Sequence, residues 1–377
     1  MSVHSRDGQR PVCLLFATSG HSGVDRVVAN LLPALARTGR PFDLLLIRRH
    51  GPYPPDLPNN VRLRRISVSH RALVPLFLVP YLRRARPAAV LTAGHPLNRA
   101  AVLSRMLARV DTRVVLRFGM SMEGKADRLG PRRYRRFVRS LRRWYAHAAR
   151  VIVPSKGVAD SLAAVARLPA GRVCTIHNPI VDDGLAAAAT AQLDDAWFAS
   201  GAPPVILAAG SLESRKDFAT LLRAFARLRT ERPARLVILG RGPEHDRLVQ
   251  LADELGVSVD VRFVGFDPNP YRWMARAAAF VLCSRQEGSG AVLVEALACA
   301  TPVVATDCPS GPAEILQYGR VGPLVPVNDS PALAEGIRGV LDDPVDAKVL
   351  RAAVEPYRVE RAAGAYLEAL GVDTDGC

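Results

Sequence analysis

Short apolar runs alternate with amphipathic stretches along nearly the whole chain, and this alternation leaves few folds open. Pro11–Ala17 (PVCLLFA), Phe42–Ile47 (FDLLLI), Ala89–Thr92 (AVLT), Val205–Ala209 (VILAA) and Arg235–Leu239 (RLVIL) are apolar almost throughout. Strands buried on both faces of a parallel sheet read this way, and the stretches of helical period between them serve as crossovers. Val61–Ile66 reads as a short edge strand. Arg113–Leu116, Val151–Pro154, Val173–Ile176, Val261–Val264, Ala279–Leu282, Pro302–Ala305 and Pro323–Val327 continue the series. The expected class is α/β, with two doubly wound, Rossmann-like parallel sheets.

A chain of 377 residues is comfortable for two domains, each with its own core. Composition shifts at Pro179–Pro204, which is rich in Ala, Asp and Pro. The expected division is therefore 1–180, a linker 181–204, a second domain 205–355, and a closing segment 356–377 with a helix around Val359–Leu370. Gly119–Gly130 shows no clear period and reads as a loop. After it, Tyr134, Phe137, Val138, Leu141, Tyr145 and Ala148 recur at helical spacing among arginines.

The formal charge of +16 calls for an acidic partner or surface. Lys125, Lys156, Lys216 and Lys348 are the only lysines among 51 basic residues, so each is a candidate for a specific role. The six cysteines are scattered, with no C-x-x-C pair and no zinc spacing, as in a reduced cytoplasmic protein without a metal site. The longest apolar run, Leu73–Leu82, is about half a membrane span and holds two prolines. No signal peptide is evident.

Chemistry concentrates in Leu282–Pro309, LCSRQEGSGAVLVEALACATPVVATDCP. A strand end leads into a polar loop, Arg285–Gly290, then a helix with Ser289 as the expected N-cap, then another strand. Free N–H groups at such a helix start favour anions such as a diphosphate. Glu287 in the loop and Glu295 about two turns into the helix are acceptors suited to sugar hydroxyls, not to phosphate. Two glutamates at this spacing are, by themselves, a weak signal.

The string SRQEGSGAVLVEALACATPVVATDCPSGPAEIL closely resembles the C-terminal motif of the retaining GT-B glycosyltransferases of family 4, which use nucleotide-sugar donors. The resemblance implies that Glu287 holds the donor sugar and Glu295 the ribose, beside Gly288, Ser289 and Gly290. AAGSLESRKDFATLLRAFARL resembles another family segment and implies that Lys216 contacts the donor diphosphate. The family usually has Arg where this chain has Ser211, and the neighbouring Arg215 is the expected substitute. Cations are disfavoured at a helix start, which suggests a compensating anion there.

LGRGPEHDRL places Gly240 in a turn after a strand, and Gly265 and Phe266 are implied to face the nucleobase. In the first domain, SGHSGVDRVVANLLPALA resembles the family's N-terminal loop, with Gly23, Asp25 and Arg26 at matching positions. His95, Asn98 and Arg117 are the acceptor-side candidates at strand ends. The family's ReHn after the fourth strand is replaced by Arg117–Met120.

The family further implies two domains facing across a cleft, a final helix that returns to the first domain, and no cofactor, metal or protein nucleophile. The expected partners are a UDP- or GDP-sugar donor and a glycan or lipid-linked acceptor, with the enzyme cytoplasmic and peripheral on the cytoplasmic membrane face. Two rivals accompany that expectation. The first is a nucleotide-sugar epimerase or hydrolase on the same fold. The second is a basic nucleic-acid-binding protein, which lacks a recognisable module here, so nucleic acid is not an expected partner. The arginine helix Arg132–Arg150 has three readings, in this order: a solvated face, a contact for an anionic membrane or a polyprenyl diphosphate, and nucleic acid.

Overall fold

The computed structural model describes residues 10–17, 23–47, 57–66, 68, 71–169 and 171–372. Gly20 and Ser22 of the N-terminal loop lie outside these residues, and Gly23 is the first residue of the helix that follows.

In chain order the elements begin with β1 (Val12–Ala17), α1 (Gly23–Ala36), β2 (Phe42–Ile47), β3 (Val61–Ile66), α2 (Val74–Ala85), β4 (Ala89–Ala93) and α3 (His95–Ala108). Next come β5 (Arg113–Arg117), α4 (Met122–Tyr145), β6 (Arg150–Val153), α5 (Lys156–Ala166), β7 (Val173–Thr175) and α6 (Asp183–Ala189). Then follow β8 (Val205–Ala209), α7 (Phe218–Glu231), β9 (Arg235–Leu239), α8 (His245–Glu254), β10 (Val261–Gly265), α9 (Tyr271–Met274) and β11 (Ala279–Leu282). The chain ends with α10 (Ala291–Ala298), β12 (Val303–Thr306), α11 (Pro312–Ile315), β13 (Leu324–Val325), α12 (Ser330–Asp342), α13 (Ala347–Ala353) and α14 (Val359–Leu370).

Two compact units result. Residues up to Pro179, together with those from Val359 onward, form the first; Ile180–Arg358 form the second. The first sheet is parallel with order β3-β2-β1-β4-β5-β6-β7. Strands β1 and β2 are buried almost throughout, whereas β3, at the edge, is buried only at its end residues Val61 and Ile66. Burial on both faces demands apolar residues at every position, and an edge strand relaxes that demand. Asp43 of β2 is the exception, buried but accepting a hydrogen bond from Tyr81 Oη at 2.7 Å. Helices α1 and α14 pack on one face, and α2 to α5 on the other.

The second sheet is parallel with order β10-β9-β8-β11-β12-β13. Helices α7, α8 and α12 cover one face, and α9, α10, α11 and α13 the other. In both sheets the connections reverse direction beside the first strand, at β1/β4 and at β8/β11. Loops there diverge to opposite faces and leave open ground at the C-terminal strand ends.

Three sequence expectations need correction. Residues 181–204 are not a free-standing linker: they carry α6 and a short turn at Ala196–Phe198, and they cluster with the second unit. Trp197 explains why, because Arg262 and Arg235 stack over its ring at 4.0 and 5.0 Å. Gly119–Gly130 is mostly helical, since α4 starts at Met122, with Ser121 Oγ accepting from Gly124 N at 3.2 Å. Gly130 (φ 70°, ψ 164°) breaks that helix before Pro131, whose ring disfavours α geometry in the preceding residue. Ser289 is not the N-cap of α10; Gly290 is, in the left-handed region at φ 58°.

Strand ends β8, β9 and β10 approach so closely that side chains are excluded. A Cβ on Gly240 (φ +144°) would sit 1.8 Å from Gly210 O. Gly240→Ala should therefore destabilise the protein by about 2 kcal/mol or more. Gly339→Ala, on an exposed position of α12 with open space around it, should stabilise it by about 0.5–1 kcal/mol. Urea unfolding of the two variants checks both signs.

Candidate active site

The second unit gathers its polar side chains at the C-terminal ends of β8 and β11. After β8 the backbone passes Gly210 and Ser211, makes a single 3-10 turn at Ser214–Lys216, and enters α7 through Asp217 at φ 51°. After β11 it runs through Cys283–Gly290 into α10. Arg285 N donates to Arg215 O at 2.9 Å, so the two loops are stitched together.

Lys216 and Glu287 form an ion pair at the centre of this seam, with their side chains only 11% and 9% exposed. Ser284 Oγ donates to the same carboxylate oxygen at 2.7 Å. The lysine stem passes over Gly210, where a Cβ would lie in ordinary contact with it, 3.4 Å from Lys216 Cε. Beside this pair, buried Asp217 accepts from Arg285 Nη2 at 2.9 Å and from Thr220 Oγ1 at 2.8 Å. Arg215 is half-exposed, with Nε 2.7 Å from Glu213 Oε2 and Nη2 3.4 Å from Ser211 Oγ. The compensating anions expected near these cations are thus carboxylates of the protein itself.

Glu295 lies in α10 with 1% of its surface exposed. The sequence reading brought Glu287 and Glu295 to one loop–helix junction, and the structure places them there at very different depths. Gly288, Ser289 and Gly290 complete the turn. The segment Pro309–Gly311 packs on it, with Ser310 Oγ donating to Glu287 O at 3.1 Å and a Cβ on Gly311 in tight contact, 3.1 Å from the Ser289 carbonyl carbon. Ser284, Asp217, Arg285 and Ser310 were not singled out from sequence. Only their closeness to Lys216 and Glu287 along the chain could have flagged the first three.

Gly210, Gly240 and Gly265 form a floor of bare backbone across the three neighbouring strand ends. Gly210 N donates to Leu239 O at 2.9 Å, and Gly240 N to Gly265 O at 2.7 Å. Phe266 follows with 61% of its surface exposed.

In the first unit, His95 opens α3 at the end of β4. Its Nε2 lies 3.0 Å from Ser140 Oγ, and its ring packs edge-on against Phe137 at 4.7 Å. Its Nδ1 is buried without a partner among the described residues. Burial, aided by the charges of Arg99 and Lys125, pulls its pKa down to about 4, so the ring is neutral near pH 7. Lys125 Nζ sits 5.8 Å from the centre of the Phe137 ring, its own pKa lowered by burial and by Arg128.

Asn98 and Arg117 stand differently from their expected acceptor-side role. Asn98 is fully enclosed and donates to Tyr145 Oη at 2.8 Å and Arg117 O at 3.2 Å. Arg117 is buried and donates to Asn178 Oδ1 at 2.5 Å and to Tyr366 Oη at 3.2 Å. Both hold the first unit together. Of the three, His95 at Nδ1 and Asn98 at Oδ1 keep a buried polar atom with no hydrogen-bond partner among the described residues.

Two doubly wound α/β units, one with a lysine–glutamate pair beside glycine-lined strand ends, define a GT-B enzyme class built to handle nucleotide sugars. Residues 191–356 match the family described as Glycosyl transferases group 1, and residues 21–183 the one described as Glycosyltransferase Family 4. The chain belongs to the family 4 (group 1) glycosyltransferases, which are retaining enzymes acting on nucleotide-sugar donors.

It is 30% identical over 373 residues to the N-acetylgalactosamine-N,N'-diacetylbacillosaminyl-diphospho-undecaprenol 4-alpha-N-acetylgalactosaminyltransferase of Campylobacter jejuni, covering 92% of this chain and 96% of that protein. A shorter similarity, 37% over 140 residues, links it to the lipopolysaccharide core biosynthesis glycosyltransferase LpsE of Rhizobium meliloti, covering 37% of this chain and 40% of that one. Among solved structures, Anabaena HepE in complex with UDP superposes with a TM-score of 0.78 at 19% identity, covering 96% of this chain and 99% of HepE. The apo form of the lipopolysaccharide outer core galactosyltransferase WaaB gives 0.75 at 17% identity, with coverage of 96% and 99%. At those identities the likeness establishes the fold.

The depressed histidine gives a stability signature. His95 has a folded-state pKa of about 4, below its ordinary value of about 6.5. Unfolding therefore takes up a proton between these values, and the contribution present above pH 6.5 is lost as pH falls toward 4. Urea unfolding at about pH 7 and about pH 4.5 should show a smaller loss for His95→Asn than for the wild type.

Proposed function

We propose that this enzyme transfers a hexosyl or N-acetylhexosaminyl residue from a UDP- or GDP-sugar to a hydroxyl of a lipid-linked or envelope-glycan acceptor. The observation that carries the reading is the buried Lys216–Glu287 pair with Ser284 on the same carboxylate. A lysine and a carboxylate held in contact are poised for a ligand that offers each a replacement. A diphosphate takes the ammonium, and sugar hydroxyls take the carboxylate. Lys216 then stabilises charge on the leaving nucleoside diphosphate, and Arg215 beside Ser211 adds to it. Glu295 serves the ribose, and the floor of Gly240 and Gly265 with Phe266 serves the base. The donor's own phosphate takes the proton of the incoming hydroxyl on the face from which it leaves, so configuration is retained.

The second unit is the donor unit and the first the acceptor unit, where neutral His95 accepts or donates a hydrogen bond at pH 7. The acceptor assignment draws on the Campylobacter relative, whose name specifies a diphospho-undecaprenol acceptor. It draws also on α4. Arg132, Arg133, Arg135, Arg136, Arg139 and Arg143 are exposed, and none forms an ion pair among the described residues. The break at Gly130 leaves an open recess lined by Arg132, Arg133 and Arg135. No helix among the described residues is long and apolar enough to cross a membrane. An unpaired cationic helix face suits reversible attachment to anionic lipid, where lipid-linked acceptors reside.

Two experiments test these roles. Glu287→Ala should abolish sugar transfer while leaving nucleotide affinity near that of the wild type; wild-type turnover would end the assignment. Glu295→Ala should instead weaken nucleotide binding by roughly 1–3 kcal/mol, read by calorimetry. In flotation assays the protein should float with anionic vesicles at low salt and not in half-molar salt or with neutral vesicles, because Debye screening cuts the attraction (to about 3 Å at 1 M). Indifference to anionic vesicles at low salt makes a soluble acceptor the better reading.

A further inference from the structure

Arg241 stands out on the donor unit because it is the one side chain placed between two residues that cannot carry one. It lies between Gly240 and Gly242 at the end of β9, where a Cβ on Gly242 would meet Leu212 O at 2.4 Å, as one on Gly240 would meet Gly210 O. Its backbone is fixed by Leu212 N donating to Arg241 O at 2.9 Å. Its side chain is exposed and leans across the neighbouring strand end. Nε lies 3.6 Å from where a Cβ of Gly265 (φ +85°) would be. Among the described residues no carboxylate, carbonyl or hydroxyl receives any of its N–H groups. Most arginines around this site are paired, Arg215 with Glu213 and Arg285 with Asp217. Arg241 keeps an unengaged planar donor over bare backbone next to exposed Phe266.

We propose that Arg241 reads the nucleobase of the donor and selects a base with a ring carbonyl on its exposed edge, uracil or guanine, over cytosine and adenine. The inference rests on the proposed donor site in the second unit. A guanidinium offers only donors, in a fixed fork. Uracil presents O4 and guanine presents O6 with N7, all acceptors. Cytosine and adenine present an amino group at the corresponding position, which meets the fork donor to donor. Gly265 matters because its missing side chain lets the base lie flat within reach of that fork.

Calorimetric titration of the full-length protein with UDP, GDP, CDP and ADP, repeated on Arg241→Ala and Arg241→Gln, tests this. The expected result is wild-type binding of UDP or GDP at least about tenfold tighter than of CDP and ADP, with the preference collapsing in Arg241→Ala. Partial preference in Arg241→Gln, which keeps a neutral donor, agrees. If the wild type discriminates and Arg241→Ala discriminates equally well, or if the variant weakens all four nucleotides by the same factor, Arg241 does not read the base and the proposal fails while the donor site stands. If no nucleotide binds the wild type, the donor site itself is wrong and the proposal falls with it.

Discussion

A buried ammonium and a buried carboxylate cannot each be left alone in a protein interior, and the contact between Lys216 and Glu287 answers that constraint. The rest of the second unit's strand-end architecture follows from it. The lysine stem crosses Gly210 within van der Waals reach of where a Cβ would be. The loop after β11 is tied to the loop after β8 through Arg285 N and Arg215 O, which holds the two charges in register. Asp217, in a left-handed conformation, turns the chain into α7 and is itself neutralised by Arg285. Such a pair contributes little net stability compared with apolar packing. Its persistence at a strand-end junction makes sense if both groups are exchangeable, each able to trade its partner for part of a ligand.

The first unit handles charge differently. The buried cation Arg117 is met by the protein acceptors Asn178 and Tyr366. At the ends of β4 and β5, burial keeps His95 neutral near pH 7 and lowers the pKa of Lys125, both beside the aromatic ring of Phe137. Outside, α4 divides cleanly. Leu141 and Tyr145 are buried in the core while the arginines between them stay in solvent. One helix therefore serves packing on one face and long-range attraction on the other.

The chain's arginine excess hides information as well as carrying it. Many of the arginines are solvated or paired, so no single one could be singled out by composition. Position resolves them. Arg235 and Arg262 clamp Trp197, Arg117 braces the first unit, and Arg241 stands unpaired over glycines. The rarer lysines were better signals, since two of the four, Lys216 and Lys125, prove to be substantially buried.

The sequence by itself determined the class of fold, because strands buried on both faces must be apolar throughout and their crossovers must be amphipathic. Both patterns are local and survive in one dimension. It also pointed to Lys216, Glu287 and Glu295 as candidates, since these residues sit in strings that resemble family segments. Only the tertiary structure decided what those residues touch. Nothing local says that Lys216 meets Glu287, 71 residues away, or that the anions compensating the basic turn before α7 are the protein's own. The helix across residues 122–130 was hidden by glycines whose backbone freedom leaves no periodic trace. The cap at Gly290, not Ser289, goes with a left-handed turn at φ 58°, a conformation glycine adopts at no steric cost. Asn98 and Arg117 carry the residue types of a binding site, and their enclosure in the core is set by groups far along the chain. Periodicity reports which face of an element is buried. Depth and partners are properties of surfaces brought together from distant parts of the sequence, and only the folded chain fixes them.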